Sequence, residues 1–299
     1  MIYPIETTLG PSSRKSASRN TEKIPSIDPL PTLQLEAKIP EQSLPPSDIN
    51  VLQRDLLQED ITAQSILENY NSYCTSCANI REFSNPTLIY ITPWNNRGYD
   101  LVKIFPQKFD YIAPVWFSLK RIGLERYHIE GTHDIDVKWI ETLKENRADV
   151  RIVPRIIFER WSTDDIHALF QSENEKQQLS STMKNFLIKY THLFDGFMME
   201  LLALFKGSSK ANIHHILIDI AEQIHQIETN TTQKKEVFLA VPPLEEYFDR
   251  TDFEVLSEYL NGFHVMAYDF PTKQPGPVAP LGTRFFISSK INEHFFRLF

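Results

Sequence analysis

From Pro86 onward the sequence alternates short apolar runs with amphipathic helical patterns, and this alternation constrains the fold more than any other feature. Short, continuous apolar runs are typical of parallel strands that are buried on both faces. Neighbouring parallel strands require a crossover connection, usually a helix, so repeated strand–helix units indicate an α/β fold. Six strands are predicted, at residues 87–91, 111–116, 151–158, 194–200, 236–241 and 262–268.

Amphipathic helices are predicted between these strands, at residues 136–146, 173–190, 211–229 and 252–260. Repeated units of this kind close into a (β/α)8 TIM barrel when there are eight strands and about 250 residues. Only 214 residues run from Pro86 to Phe299, and the strand count stops at six. We therefore predict an incomplete (β/α)8 barrel of about six strands that lacks the last two strand–helix units.

The segments on either side of the predicted barrel differ from it in composition. Residues 1–46 are rich in Pro, Ser and charge, and are predicted to be a disordered tail because they cannot bury enough apolar surface. Residues 47–85 are predicted to be a helical extension, with one helix reaching Tyr70 and docking on the outside of the barrel. The barrel itself is assigned to residues 86–283, and residues 284–299 form a short, aromatic and atypical C-terminal tail.

Composition excludes several classes of function. The net charge of −8 and the pI near 5.6 argue against a nucleic-acid partner, which would favour a basic face. No stretch approaches the roughly 18 apolar residues of a membrane span. No cofactor or metal is expected, because glycine-rich phosphate-binding patterns are absent and the helix carrying His214, His215 and His225 has no carboxylate–histidine motif. Those histidines are interpreted as packing or solvated residues.

The two cysteines, Cys74 and Cys77, form an isolated C-x-x-C pair. A zinc site would require a second pair of cysteines or nearby histidines, and none is present. A thioredoxin-like redox site would require a strand before the pair and a helix after it, and residues 69–73 do not resemble a strand. We interpret the cysteines as free or locally paired, with a redox or metal role as the alternative.

One predicted strand carries an acidic residue in a setting otherwise suited to burial. The segment Phe194-Asp-Gly-Phe-Met-Met-Glu200 is apolar around Asp195-Gly196 and ends at Glu200. A buried carboxylate is costly unless it is paired or used in chemistry. The carboxyl ends of barrel strands carry the functional sites of this architecture. Glu200 is therefore a candidate for catalysis, for ligand binding or for a structural ion pair.

The same segment resembles the strand signature of family 18 glycoside hydrolases, Asp-Gly-x-x-x-Asp-x-Glu, and more specifically an altered version found in a chitinase-like lectin of that family. In this alignment Glu200 stands at the second aspartate and Leu202 at the catalytic glutamate. The resemblance extends over residues 86–281. It implies a protein that binds chitin-like oligosaccharides without cleaving them, that is secreted or lysosomal, and that has a scavenger-type receptor as a possible partner. The first residues, in contrast, show no secretory signal pattern.

Aromatic and polar residues follow the predicted strands, as a saccharide site at the carboxyl ends requires. Sugar rings stack on aromatic side chains, while their hydroxyls need acids, amides and arginines. The alternative for each tryptophan is ordinary core packing. The candidate saccharide-binding residues are Trp94, Trp116, Glu159, Glu200, Tyr268 and Asp269, with Asn95, Tyr99, Arg155 and Trp161 as further candidates.

Two other functions remain open beside the lectin. Family 18 enzymes use the acetamido oxygen of the substrate as nucleophile, so the protein must supply an acid that protonates the leaving oxygen. Glu200 could supply that proton only from a position two residues deeper in the strand, about 6.6 Å away, which exceeds the reach of proton transfer. We therefore predict no enzyme, with weak hydrolysis through Glu200 as one alternative and a protein-interaction module without a sugar site as the other.

Overall fold

The structure is a computed structural model, and it describes residues 47, 49, 51–70, 72–229, 233–242 and 248–266. The predicted tails at residues 1–46 and 284–299 lie outside the described residues, and so does the end of the sixth predicted strand, from residue 267 onward. In the described part of the chain, no helix combines the length and the apolar character that crossing a bilayer requires.

Six parallel strands curl into a half-barrel, as the sequence predicts. With two shorter strands that pair with the second one, the described sheet has eight: β1 (Leu88–Ile91), β2 (Tyr111–Gly123), β3 (Arg126–Glu130), β4 (Arg151–Ile152), β5 (Arg155–Phe158), β6 (Gly196–Glu200), β7 (Glu236–Val241) and β8 (Gly262–Val265). Their order is β1-β2-β5-β6-β7-β8, with every neighbouring pair parallel. β4 pairs with the start of β2 and leads into β5 after two residues, so the two form one interrupted strand.

The second strand is longer than its predicted range of 111–116. β2 continues to Gly123, and beyond the parallel sheet it forms an antiparallel hairpin with β3. The hairpin packs on a helix through Tyr127, whose hydroxyl donates a hydrogen bond to Glu175. The continuous apolar run from which the strand was predicted ends at Phe117, whereas residues 117–120 and β3 show the alternating apolar and polar pattern of a half-buried strand.

Eight helices are described: α1 (Ala63–Asn69), α2 (Thr75–Ala78), α3 (Asn96–Ile104), α4 (Val137–Asn146), α5 (Thr163–Gln171), α6 (Glu173–Lys189), α7 (Lys210–His225) and α8 (Arg250–Leu256). The four predicted helices are confirmed as α4, α6, α7 and α8, with ends that differ by a few residues. α3 and α5 were not predicted. The N-cap side chains of Asp136, Ser162, Ser172 and Asp249 accept backbone hydrogen bonds from the first turns of α4, α5, α6 and α8.

The prediction of one long helix up to Tyr70 is wrong. A short 3₁₀ turn occupies Val51–Gln53, and α1 begins only after Thr62, whose hydroxyl accepts the backbone N–H of Ser65. Leu52 and Leu57, two of the residues expected to form an apolar stripe, are largely exposed. Because most of a protein helix's stability comes from burying an apolar face, the longer helix has no packing to sustain it.

The sheet separates two apolar layers. The larger layer lies between the sheet and the helices, and the smaller one lines the inner face of the half-barrel through Tyr111, Ala113, Val153, Met198, Phe238 and Ala240. Side chains alternate along β6, so Met198 faces inward while Phe197 and Met199 face the helices. The inner face is therefore where the alternation places any functional side chain of these strands.

Asp195 and Gly196 fix the start of β6. Asp195 accepts the backbone N–H of Ile152 through Oδ2 at 2.8 Å, which is a structural role. A Cβ added to Gly196 would lie 1.8 Å from the carbonyl oxygen of Glu236. Glycine is thus required here by the close approach of the β7 backbone.

The histidines of α7 contribute to packing on the outside of the half-barrel. The Nε2 atom of His214 lies 2.7 Å from Oδ1 of Asp252 in α8. The Nε2 atom of His225 lies 3.0 Å from Oδ1 of Asn261. Both contacts tie α7 to the segment that carries α8, which confirms the interpretation of these two histidines as packing residues.

Candidate functional site

Four polar side chains collect on the inner face of the half-barrel, three of them near the carboxyl ends of their strands and the fourth, Arg155, at the start of β5. Tyr90 belongs to β1, Arg155 to β5, Glu200 to β6 and His264 to β8. Arg155 and Glu200 lie on the inner face because Val153 and Met198, each two residues earlier, line that face. Parallel pairing brings them together, since Arg155 is the register partner of Met198. These four residues are called the inner polar cluster below.

Arg155 and Glu200 form an ion pair at the centre of the inner polar cluster. The Nε atom of Arg155 donates to Oε2 of Glu200 at 2.5 Å. Their side chains are 18% and 28% exposed, so the pair is accessible from the mouth of the half-barrel. Among the residues that the structure describes, the Nη groups of Arg155 and Oε1 of Glu200 form no further hydrogen bond. These donors and this acceptor can therefore bind a polar ligand.

Tyr90 and His264 form the second half of the inner polar cluster. The hydroxyl of Tyr90 lies 2.8 Å from Nδ1 of His264, and the two rings are 5.0 Å apart. Burial lowers the pKa of His264, and the nearby Glu200 carboxylate opposes that shift. The imidazole is consequently neutral at neutral pH, and it takes part in hydrogen bonds without adding charge.

The structure separates the candidate residues that the sequence grouped together. Glu200 lies on the inner face, as predicted. Trp94 follows β1 and is 79% exposed, and Glu159 follows β5 and is also exposed. Tyr268 and Asp269 lie outside the described residues. The described candidates that retain accessible surface at the carboxyl ends are therefore Trp94, Asn95, Glu159 and Glu200.

Trp116 is the candidate that the structure places elsewhere. Its side chain is 5% exposed and packs in the helix-side layer, where its ring lies 6.0 Å from that of Trp139. Its Nε1 atom donates to the hydroxyl of Tyr99 at 2.8 Å, which also places Tyr99 on the helix side. Trp161 is likewise buried, donating to the carbonyl of Leu119 at 3.0 Å. Trp116 therefore does not line a saccharide site, because β2 turns this residue toward the helices.

Leu202 does not share the face of Glu200. β6 ends at Glu200, and the backbone N–H of Phe205 then bonds to the carbonyl of Leu202 at 3.2 Å in a turn. Leu202 is 7% exposed and packs in the helix-side layer. Alternate side chains of a regular strand share a face, and here only Met198 and Glu200 do so. Glu200 is thus the last inward-facing residue of β6.

Tyr90 and His264 were not among the candidates drawn from the sequence. Both stand inside apolar runs that were assigned to strands, and such a run conceals which residues face inward. Alternation counted from the strand ends would have placed them on one face, but not in contact. Their 2.8 Å contact joins β1 to β8, two strands at opposite ends of the sheet order, and depends on the curvature of the sheet.

No protein-family model matches the sequence, whereas solved structures match the fold. A chitinase from Chromobacterium violaceum has a TM-score of 0.56 at 16% identity, covering 72% of this chain and 68% of its own. A family 18 chitinase mutant from Cycas revoluta, in complex with (GlcNAc)4, has a TM-score of 0.55 at 14% identity, covering 71% and 67%. YKL-39, solved in the presence of chitooligosaccharides, has a TM-score of 0.53 at 15% identity, covering 71% and 65%. The chain shares their fold over about two thirds of their length.

Proposed function

We propose that this chain is a chitinase-like member of glycoside hydrolase family 18 that binds amino-sugar oligosaccharides without cleaving them. The shared fold supports the family, together with the segment from Phe194 to Glu200 that resembles the family signature. Within that family, residues 86–281 resemble chitinase domain-containing protein 1, a chitinase-like lectin. The observation that carries the proposed binding is the accessible Arg155–Glu200 pair on the inner face.

The inner polar cluster suits a ligand that offers many hydroxyl and amide groups. The Nη groups of Arg155 donate to hydroxyl or acetamido oxygens, and Oε1 of Glu200 accepts from hydroxyl or amide hydrogens. The guanidinium and carboxylate charges cancel, and His264 adds none at neutral pH, so the site favours an uncharged, polar ligand. Oligomers of N-acetylglucosamine have that chemistry.

Trp94 adds an aromatic surface to the same end of the half-barrel. It stands in the turn between β1 and α3, at the carboxyl end of a strand that contributes Tyr90 to the inner polar cluster. Its ring is largely exposed to solvent, and an exposed indole offers a face on which the apolar side of a sugar ring can stack. In this proposal Trp94 binds the sugar ring while Arg155 and Glu200 bind its polar groups.

The absence of cleavage in this proposal follows from the positions of Glu200 and Leu202. An acid that protonates a glycosidic oxygen must lie within reach of it, whereas Glu200 aligns with the second aspartate of the family signature and its Oε2 accepts a hydrogen bond from Arg155. Leu202, at the position that aligns with the catalytic glutamate, has no ionisable group and faces the helices. Binding without hydrolysis is therefore the function that these residues support.

The test is a calorimetric titration of the full chain with N-acetylglucosamine oligomers, comparing two pairs of variants. Arg155→Met and Glu200→Gln disrupt the inner ion pair. Arg250→Met and Glu254→Gln disrupt an ion pair of the same 2.5 Å length on the outer surface of α8. We expect the inner variants to weaken binding by about tenfold, in line with the loss of a charge-assisted hydrogen bond, and the outer variants to bind like the wild type.

Equal affinities for all four variants would refute binding at the inner face. The titrated samples are also examined for shortened oligomers. Products that form with the wild type and disappear with Glu200→Gln would replace the lectin proposal by weak hydrolysis. A wild-type chain that binds no oligomer would instead favour a protein-interaction module. The secreted or lysosomal localisation and the scavenger-type receptor are proposals that the sequence resemblance alone supports.

A further inference from the structure

The C-x-x-C pair of the N-terminal extension is oxidised in the structure. Cys74 and Cys77 form a disulfide, with their Cα atoms 5.2 Å apart, and both residues are half-buried. This arrangement confirms local pairing. A redox site of the thioredoxin type would have a strand before the pair and a helix after it. The helix is present, since α2 begins directly after Cys74. In place of a full strand, Cys74 forms a single β-bridge with Ser47.

This disulfide is poorly suited to a purely structural role. Cross-linking stabilises a protein mainly by restricting its unfolded chain, and the effect grows with the length of the closed loop. The loop between Cys74 and Cys77 contains only two residues. The neighbouring backbone is already held by hydrogen bonds, from the N–H of Ser47 to the carbonyl of Tyr73 at 2.9 Å and from the N–H of Thr75 to the carbonyl of Ser47 at 3.4 Å.

Two hydrogen-bond donors converge on the sulfur of Cys74. The backbone N–H of Cys77 donates to Sγ of Cys74 at 3.2 Å. The hydroxyl of Ser76 lies 3.3 Å from the same sulfur, and it is the donor because a disulfide sulfur carries no proton. When the bond is reduced, both donors are in place to stabilise a thiolate at Cys74, the form of cysteine that acts as a nucleophile.

We propose that Cys74 and Cys77 form a thiol–disulfide exchange site, in which Cys74 is the attacking thiol and Cys77 the resolving thiol. The Cys74 thiolate attacks one sulfur of an external disulfide, forming a mixed disulfide and releasing one thiolate. Cys77 then loses its proton to solvent and attacks the sulfur of Cys74, which releases the second thiolate. Two electrons pass from the protein dithiol to the external disulfide, which leaves as two thiols.

The test uses the reduced full chain and oxidised glutathione, with acid quenching, alkylation and mass spectrometry. The wild type is expected to form its internal disulfide and release two glutathione molecules. Cys77→Ser is expected to accumulate a mixed disulfide with glutathione at Cys74. Cys74→Ser is expected to react at Cys77 several-fold more slowly. Equal rates for the two single variants, or a wild type that stays reduced, would overturn the proposal.

Ser76→Ala provides an independent test that leaves both cysteines in place. Removing the hydroxyl is expected to slow alkylation of reduced Cys74 by iodoacetamide several-fold at neutral pH, because less of the thiol is ionised. Thr75→Ala is the matched control, since Thr75 is exposed and its hydroxyl makes no contact with the sulfur. If the two variants react at the same rate, Ser76 does not activate Cys74 and its assignment as the attacking thiol is withdrawn. Circular dichroism confirms that each variant is folded.

Discussion

Replacing Gly196 with alanine tests whether the close approach of β7 requires glycine at the start of β6, the strand that carries Glu200. The new Cβ would lie 1.8 Å from the carbonyl oxygen of Glu236, whereas Cβ atoms essentially never come within 3.0 Å of another heavy atom. β6 and β7 would therefore have to separate by roughly 1 Å, a forced backbone shift that costs about 1–3 kcal/mol. The φ of +154° at Gly196 adds about 1–3 kcal/mol for a residue with a side chain.

The expected loss of unfolding free energy is therefore about 2–6 kcal/mol, a large part of the 5–15 kcal/mol typical of a folded protein. Two other glycines separate these contributions. Gly207 has a φ of +82° and no atom within 4 Å of its added Cβ, so Gly207→Ala should cost only the backbone strain, about 1–2 kcal/mol. Gly98 lies in α3 with only ordinary contacts to Ile91, so Gly98→Ala should stabilise by about 0.5–1 kcal/mol.

Urea unfolding of the three variants, followed by far-ultraviolet circular dichroism, measures these differences. From most to least stable, the expected order is Gly98→Ala, wild type, Gly207→Ala and Gly196→Ala. If Gly196→Ala unfolds at the same urea concentration as Gly207→Ala, the close approach of the β7 backbone is not what requires glycine at the start of β6.

Three further predictions concern single residues. Trp94→Phe should remove most of the fluorescence that acrylamide quenches, because the other three tryptophans are buried; unchanged quenching would contradict the exposure of Trp94. Burial raises the pKa of Glu236, so the stability that its neutral form contributes is present below the unfolded-state pKa and is lost as pH rises through the raised pKa. Urea midpoints of the wild type should therefore fall relative to those of Glu236→Gln as pH rises above the ordinary pKa of a glutamate, and a constant difference would refute this. Lys235 donates to two backbone carbonyls at 2.7 and 2.6 Å, so Lys235→Ala should cost about 1–3 kcal/mol in urea unfolding, while exposed Lys234→Ala changes little; equal effects would count against the buried contacts.

The sequence was sufficient to predict the order of the six parallel strands and four of the helices between them. Short runs dominated by apolar residues identify β1, β6, β7 and β8, as is typical of parallel strands. The hairpin of β2 and β3 was missed because residues 117–120 and β3 alternate apolar and polar side chains, whereas the strands were predicted from continuous apolar runs.

The site was predicted less well, for two physical reasons. A strand buried on both faces gives no sequence signal of which side chain faces inward, so Trp116 was assigned to the ligand side although it packs against the helices. The register between strands also decides which residues meet. Arg155 and Glu200 were recognised separately, but their ion pair depends on the pairing of β5 with β6, and the contact of Tyr90 with His264 depends on the curvature of the sheet.

The position of β2 has a consequence for the kinetics of folding. β2 pairs with β1, β3, β4 and β5, whereas β8 pairs with β7 at the end of the strand order. Each parallel pairing must close a long loop before it gains any contact energy, which makes such sheets slow to form. A substitution that weakens the part of β2 that pairs with β1, such as Ala113→Gly, should therefore slow refolding in stopped-flow experiments, because β2 must be in place before its neighbours can add. A comparable change in β8 should mainly accelerate unfolding.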